Sequence, residues 1–192
     1  MNLYRVFWWD GRSVGDNYGG PLYVPKPLQR SGHRGSRHNL PDLDGVLYCS
    51  MQAVSAVAEA LKPFSGQSIS ESNFQNSKEP FHRAIACIEY SGPGLPDIGD
   101  PAVLALRGWR ISAVTSLERE TSQGIARLLF AEGHCGFIWP SVLNPEWRNV
   151  TLFESRVLGM MSVKGTSTRL APDNPAVQAA CRYMGIAAKR PG

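Results

Sequence analysis

Long hydrophobic runs are missing from this 192-residue chain, and no stretch approaches the roughly 20 consecutive apolar residues of a transmembrane helix. The first nine residues are apolar, but the segment is short and Arg5 interrupts it. It has neither a basic beginning nor a small-residue cleavage site, so we predict no signal peptide. The expectation is a cytoplasmic protein that does not contact a membrane.

Cysteine is scarce, and its spacing fits none of the common metal motifs. The four cysteines form no Cys-x-x-Cys pair, and no histidine lies at metal-ligand spacing from any of them. The four histidines show no paired spacing either, which argues against a zinc site. We interpret Cys49, Cys87 and Cys135 as small core residues of a reducing compartment. We therefore predict neither a metal nor a resident cofactor.

Several nucleotide and hydrolase signatures are also absent. The chain has no phosphate loop, no glycine-rich dinucleotide fingerprint and no Gly-x-Ser-x-Gly elbow. Its net charge of +4 indicates an anionic ligand only weakly. The basic residues are dispersed apart from short clusters at 26–37 and 189–190. Direct nucleic-acid binding is therefore not expected, although a basic nucleic-acid-binding module stays open as an alternative.

What the chain does contain predicts one α+β domain over residues 1–192. Its length and its 43% apolar content suit a single core, placed at about 3–160 with a tail at 164–192. Helices are predicted with Ser50 capping the first and Thr121 or Ser122 capping another. The predicted strands cover 3–9, 46–48, 84–90, 136–139 and 150–158; the predicted helices cover 51–61, 102–106, 121–132 and 175–184.

Residue types suited to chemistry are concentrated at 35–61. This stretch places Arg37 before a turn, Tyr48 on a short apolar strand and Glu59 on an alanine-rich helix. Each also has a purely structural interpretation. A carboxylate beside an apolar helix face is either a solvated edge residue or a working acid, and a strand tyrosine is often a core residue with a bonded hydroxyl.

Three further polar residues stand in unusual surroundings. Ser141 lies between two tryptophans, Asn149 leads into an apolar strand, and Arg5 interrupts an aromatic strand. Ser141 follows a proline and is equally suited to a turn. Arg5 is either an arginine on a solvent face or one aimed into a pocket. Composition and spacing alone leave these residues as an unassigned pocket.

The order and spacing of these elements resemble the RES domain family, the toxin half of RES–Xre toxin–antitoxin systems. The resemblance covers most of the chain. At Ser36 and His38 many members have glycine and a bulky aromatic residue instead. The matching segments are Leu-Tyr-Arg-Val at 3–6, Gly-Ser-Arg-His at 35–38, Leu-Tyr at 47–48, Ala-Val-Ala-Glu at 56–59, Ser141, and Asn-Val-Thr-Leu-Phe at 149–153.

The resemblance implies a fold related to ADP-ribosyltransferases and an enzyme that uses NAD as a substrate. Members of the family cleave the bond between nicotinamide and ribose, and the acceptor is water, phosphate or a protein side chain. The chain is thus expected to be an NAD glycohydrolase or phosphorylase, with an ADP-ribosyltransferase that modifies a cellular protein as the alternative. An Xre-family antitoxin is the expected partner, and the basic segment 15–37 is the expected rim for its insertion.

The resemblance also implies residue roles. Glu59 would stabilise the ribosyl cation. Arg37 would hold the pyrophosphate through its planar fork, which lysine lacks. Tyr48 would offer its ring to nicotinamide and its hydroxyl to a ribose or phosphate. Ser141 and Asn149 would hydrogen-bond the substrate or fix the glutamate, and Arg5 would be a second phosphate contact.

Overall fold

The computed structural model describes residues 1–24, 37–40 and 43–188 and contains two compact units. The first unit comprises residues 1–23, 50–90 and the chain from 162 onward. The second comprises 24–49 and 91–161. Both units combine β-strands with helices, so the predicted α+β class is confirmed.

The strands of the first unit are built around one long antiparallel pair. Strand β1 (Asn2–Trp9) pairs with β4 (His82–Tyr90) along its whole length. Side chains alternate between the two faces of a strand, and Leu3 and Phe7 on one face of β1 are buried. A further strand, β7 (Met161–Arg169), lies on the other side of β4. A short parallel pair joins β3 (Ser68–Ile69) to β8 (Ala187–Ala188).

Two helices pack together in the first unit. Helix α1 (Ala53–Leu61) contacts both β1 and α6 (Pro175–Met184). Val57, Ala58 and Leu61, which recur at helical spacing, are buried on one face of α1. Helix α6 matches the prediction residue for residue, because its start is marked twice: Asn174 accepts the N–H of Ala176 at 3.0 Å, and a proline occupies the first helical position.

The second unit holds the other antiparallel pair, β5 (Gly136–Pro140) with β6 (Arg148–Phe153). Strand β2 (Val46–Ser50) neighbours β6. The outer edge of β5 is covered by the segment 96–98, because Ile138 donates to the carbonyl of Pro96 and accepts from Ile98, both at 2.9 Å. The buried core of this unit consists of Leu40, Val46, Ile98, Val114, Ile125, Ala126, Leu129, Phe137, Trp139 and Phe153.

The described residues of the second unit form four helices. They are α2 (Pro101–Arg107), α3 (Ile111–Val114), α4 (Arg119–Ala131) and α5 (Glu154–Val157). Asp100 caps α2 by accepting the N–H of Ala102 at 2.7 Å, and Gly108 ends it in the left-handed conformation. Helix α3 packs against α4, and α4 packs against β5.

Both predicted helix caps are wrong. Ser50 is the last residue of β2, and Gln52 stands at the cap position of α1 without a side-chain bond. Met51, the first residue of the predicted helix, precedes α1 and is exposed. Helix α4 begins earlier than predicted, with Glu118 at its cap position. Ser122 lies inside the helix, where it bonds backbone carbonyls instead of free amides.

The strand predicted at 150–158 is also wrong in its second half. It ends at Phe153, and α5 follows at once. The reason is a contact across the sequence: the carboxylate of Asp44 accepts the backbone N–H of Ser155 at 3.2 Å and its hydroxyl at 2.8 Å. Such a carboxylate stabilises the start of a helix. The predicted tail at 164–192 likewise contains most of strand β7.

No helix in the described part of the chain is both long and apolar enough to cross a membrane.

Candidate functional site

Arg37 in the second unit is held from three sides. Its guanidinium Nη2 donates to the carbonyl oxygen of Val114 at 2.6 Å. The guanidinium carbon lies 4.7 Å from the ring centroid of Trp139, in cation–π contact. Its own backbone carbonyl accepts from the hydroxyl of Ser122 at 2.6 Å. The end of α3, strand β5 and helix α4 therefore together fix both the backbone and the head group of this arginine.

His38, the next residue, is buried beneath this arginine. Its ring Nδ1 lies 2.9 Å from the hydroxyl oxygen of Thr151. The ring meets Phe137 and Trp139 edge-on, with centroid distances of 4.9 Å to each. Burial lowers the pKa of His38 to about 3, and the neighbouring Arg37 charge acts in the same direction. The imidazole is therefore neutral throughout the physiological pH range.

Tyr48 on β2 fastens the same loop. Its hydroxyl accepts the backbone N–H of His38 at 2.7 Å and lies 3.4 Å from the side-chain oxygen of Asn39. Its ring stacks on that of His38 at a centroid distance of 5.9 Å. Burial raises the pKa of Tyr48 above its ordinary value, so the hydroxyl stays protonated. The hydroxyl therefore bonds the backbone beside Arg37, and its contact with a ribose or phosphate stays a prediction.

Ser141 and Asn149 lie near the end of the β5–β6 pair, and both are buried. Asn149 is the cross-strand neighbour of Trp139. Ser141 follows β5, donates its backbone N–H to the carbonyl of Trp147 at 2.9 Å, and accepts from the N–H of Leu143 at 3.1 Å through its hydroxyl. The turn interpretation of Ser141 thus has a direct structural basis, and its contact with a substrate stays a prediction.

The remaining two predicted residues belong to the first unit. Glu59 lies near the end of α1, where its side chain is half-buried. Arg5 is also half-buried and shares a face of β1 with the buried residues Leu3 and Phe7. Its guanidinium donates to the carbonyl of Pro21 at 2.6 Å and to that of Tyr23 at 2.8 Å. It is therefore not a solvent-face arginine.

The second unit thus brings four predicted residues to neighbouring positions: Arg37 and Tyr48 through the loop at 37–40, and Ser141 and Asn149 beside Trp139. Three residues around Arg37 were missed as site residues: Trp139 and Ser122, which contact it, and Thr151, which contacts Trp139 and His38. Of the three, only Trp139 could have been recognised from the sequence, as an aromatic residue next to a polar turn. Most of the segment 15–37, predicted as the rim for a partner, lies outside the described residues.

The described residues contain no group of three or more His, Cys, Asp or Glu side chains arranged to hold a metal ion. None of the four cysteines is in a disulfide.

Comparison with solved structures gives a related fold. One chain of the crystal structure of the M. tuberculosis MbcT–MbcA toxin–antitoxin complex superposes with a TM-score of 0.64. The alignment covers 97% of this chain and 88% of that one, at 14% sequence identity. At this identity the likeness shows the fold alone. No curated protein sequence matches the chain.

The family comparison is more specific than the structural one. The sequence pattern of the RES domain matches residues 9–173, which leaves Arg5 outside the matched range. It includes five of the predicted site residues, Arg37, Tyr48, Glu59, Ser141 and Asn149. Because the match spans most of the chain, this protein belongs to the RES domain family.

Proposed function

We propose that this protein is the toxin of a toxin–antitoxin system and that it acts by cleaving the nicotinamide–ribose bond of NAD in the cytoplasm. The observation that carries the proposal is the RES domain match over residues 9–173. The structural likeness to a chain of a toxin–antitoxin complex supports the same class of fold.

The surroundings of Arg37 support a role in binding a phosphate group. A guanidinium offers several N–H donors in one plane, and here Nη2 donates to the carbonyl of Val114 while the guanidinium carbon lies 4.7 Å from the ring centroid of Trp139. These contacts restrict rotation of the head group before a ligand arrives. A pre-oriented planar donor loses less conformational freedom on binding a phosphate than a flexible lysine. We assign Arg37 to the pyrophosphate of NAD.

Glu59 is the residue that we assign to the reacting ribose. Departure of nicotinamide leaves an oxocarbenium-like centre, and a carboxylate nearby stabilises its developing positive charge. The reaction then completes by addition of an acceptor. Water yields ADP-ribose and a proton, and inorganic phosphate yields the phosphorylated form of ADP-ribose. Neither Arg37 nor Glu59 selects between these acceptors.

A cognate antitoxin is the proposed partner, and the resemblance to RES–Xre systems predicts a protein of the Xre family. Occupation of the NAD site is the most direct means of neutralising the enzyme. The antitoxin and NAD should then compete, so that each lowers the apparent affinity of the other by the same factor. Unchanged NAD binding by the purified complex would instead place the inhibitory contact away from the substrate.

The test of the enzyme assignment is product analysis with matched variants. Purified protein is incubated with NAD, with and without phosphate, and the products are separated by chromatography and mass spectrometry. Free or phosphorylated ADP-ribose is expected, whereas label retained on a protein would indicate an ADP-ribosyltransferase. Unaltered NAD in every condition would overturn the proposal.

The Glu59→Gln variant tests the role of the carboxylate. It keeps the size of the side chain but removes the charge, so we expect cleavage to fall about a hundredfold or more. Glu71→Gln is the matched control, because Glu71 is a half-exposed carboxylate whose ion pair with Arg169 spans 3.6 Å at the surface. Normal turnover by Glu59→Gln, with both variants folded, would assign the chemistry to another acid.

A further inference from the structure

We propose that Thr151 and His38 form a buried positioning unit that fixes the indole ring of Trp139 and, through it, the guanidinium of Arg37. This inference rests on the proposed function for its catalytic consequence. It specifies residues that act through Arg37 and need not contact the substrate. His38 and Thr151 are both almost completely buried, at 1% and 0% exposure.

The hydroxyl of Thr151 lies within hydrogen-bond distance of two aromatic side chains. The indole Nε1–H of Trp139 can only donate, and it lies 3.0 Å from this oxygen. The hydroxyl hydrogen of Thr151 then needs an acceptor of its own, and among the described residues the one within bonding distance is Nδ1 of His38, at 2.9 Å. A neutral imidazole can accept there if its proton is on Nε2. The Thr151 hydroxyl then accepts from one aromatic side chain and donates to the other.

His38 and Trp139 each connect the Thr151 hydroxyl to Arg37. His38 follows Arg37 directly in the chain, and its backbone N–H is bonded to Tyr48 at 2.7 Å. The guanidinium carbon of Arg37 lies over the ring of Trp139, 4.7 Å from its centroid. A change in the Thr151 junction therefore alters the backbone beside Arg37 and the surface on which its head group rests.

Positioning of Arg37 by these residues differs from ordinary core packing. Filling space among Tyr48, Phe137 and Trp139 would require only an aromatic ring of suitable size, and phenylalanine would serve. The hydroxyl of Thr151 adds directional hydrogen bonds, which fix the rotation of the His38 ring and the position of the Trp139 indole. Fixing a substrate-binding group in this way matters because a misplacement of about 1 Å can cost about a hundredfold in rate.

The experiment compares Thr151→Val with Thr151→Ser. Valine keeps the branched shape and removes the hydroxyl, whereas serine keeps the hydroxyl and removes a methyl group. The first readout is NMR of the Arg37 side chain, whose resonances carry the ring-current shift of the Trp139 indole. We expect Thr151→Val to shift these resonances and Thr151→Ser to leave them near their original positions. This readout does not depend on whether NAD is the substrate.

The second readout is the kinetics of NAD cleavage by folded protein. We expect Thr151→Val to lower kcat/KM about tenfold, Thr151→Ser to retain activity within about threefold, and the valine effect to vanish in an Arg37→Ala background. An equal valine effect with and without Arg37 would overturn the proposal, as would unmoved Arg37 resonances despite a lowered melting temperature. If the wild-type protein leaves NAD intact, the proposed function fails while the NMR comparison still decides the positioning role.

A second pair of variants covers the case in which Thr151→Val does not fold. Trp139→Phe removes the indole N–H, and Trp9→Phe is its matched control, because Nε1 of Trp9 donates to the carbonyl of Ser13 at 2.9 Å in the other unit. Because Trp139→Phe itself changes the ring current, the readout here is activity: we expect Trp139→Phe to lower kcat/KM and Trp9→Phe to leave it near the wild-type value. Equal behaviour of the two variants would contradict the positioning role.

Discussion

Arg5 and Arg37 illustrate two ways in which a protein holds a partly buried guanidinium. Arg5, in the first unit, donates to two carbonyls of one loop, those of Pro21 and Tyr23. Arg37, in the second unit, donates to one carbonyl and lies over an indole that is itself hydrogen-bonded. The first arrangement directs charged donors at the backbone of one segment, whereas the second adds a contact with an aromatic ring.

This difference suggests different roles for two residues that the family resemblance assigns alike to substrate phosphates. Hydrogen bonds from a charged donor to carbonyls stabilise a loop by about 1.5–3 kcal/mol each. A stacked guanidinium gains orientation from contacts with its face, and its planar fork then recognises an anion from a defined direction. We therefore expect Arg5 to matter chiefly for stability and Arg37 chiefly for activity.

The largest effect is expected from Arg37→Lys. Lysine preserves the charge but lacks the planar fork and cannot make a two-point contact, so NAD cleavage should fall about a hundredfold. Arg107→Lys is the matched control, because Arg107 also lies over an indole, that of Trp109 at 4.9 Å, on the protein surface. Steady-state kinetics measure the effect. An active Arg37→Lys enzyme would mean that Arg37 contributes only its positive charge to NAD binding.

Arg5→Ala should chiefly affect the loop. Loss of both carbonyl contacts should lower the unfolding free energy by about 3 kcal/mol, twice the lower value for one such bond, and should make residues 10–23 more susceptible to limited proteolysis. Arg5→Lys should recover part of this, since an ammonium group can still reach one carbonyl. Urea denaturation and protease digestion supply the measurements. A large loss of NAD affinity at unchanged stability would show that Arg5 is a phosphate contact after all.

Tyr48→Phe should have a smaller effect on stability. It removes the acceptor of the buried His38 N–H, which should cost about 1–2 kcal/mol and loosen the loop that carries Arg37. Tyr4→Phe is the control, since no hydrogen bond of the Tyr4 hydroxyl is found among the described residues. Equal denaturation midpoints for the two variants would mean that the hydroxyl of Tyr48 contributes nothing to the loop.

The smallest effect is a pH dependence of stability from His38. Its pKa is lowered from 6.5 to about 3 in the folded protein, so the unfolded chain binds more protons between these values. The unfolding free energy therefore falls as the pH drops below about 6.5, by about 1.4 kcal/mol between about pH 7.5 and about pH 5.5 from this residue. Denaturation of wild type and His38→Phe at both pH values isolates this contribution. Parallel pH profiles would contradict burial of a neutral imidazole.

The elements that were predicted correctly are those whose conformation depends mainly on residues adjacent in the sequence. Helix α6 carries its own cap and proline, and β1 is rich in aromatic and branched residues, so both were predicted almost to the residue. Strand β7 was missed because its sequence, Met-Ser-Val-Lys-Gly-Thr-Ser-Thr-Arg, has no regular apolar alternation, and its pairing with β4 decides its conformation. Helix α5 depends on the distant Asp44 in the same way.

The candidate site was predictable only where its residue types are distinctive. Arg37 and Tyr48 stand out as a charge before a turn and an aromatic residue in an apolar strand. Thr151 does not, because a threonine in a strand is ordinary and its bonds to His38 and Trp139 join positions far apart in the sequence. The roles of Glu59, Ser141 and Asn149 stay predictions.

The hydrogen bond from the His38 backbone to Tyr48 has a consequence for amide exchange with solvent. The His38 amide belongs to no helix or strand, and amides in loops ordinarily exchange their hydrogen for deuterium quickly. This one is buried and bonded, so it can exchange only when the loop at 37–40 opens. Its deuterium uptake therefore reports the free energy of that opening, and with it the fraction of time in which the backbone beside Arg37 leaves its place.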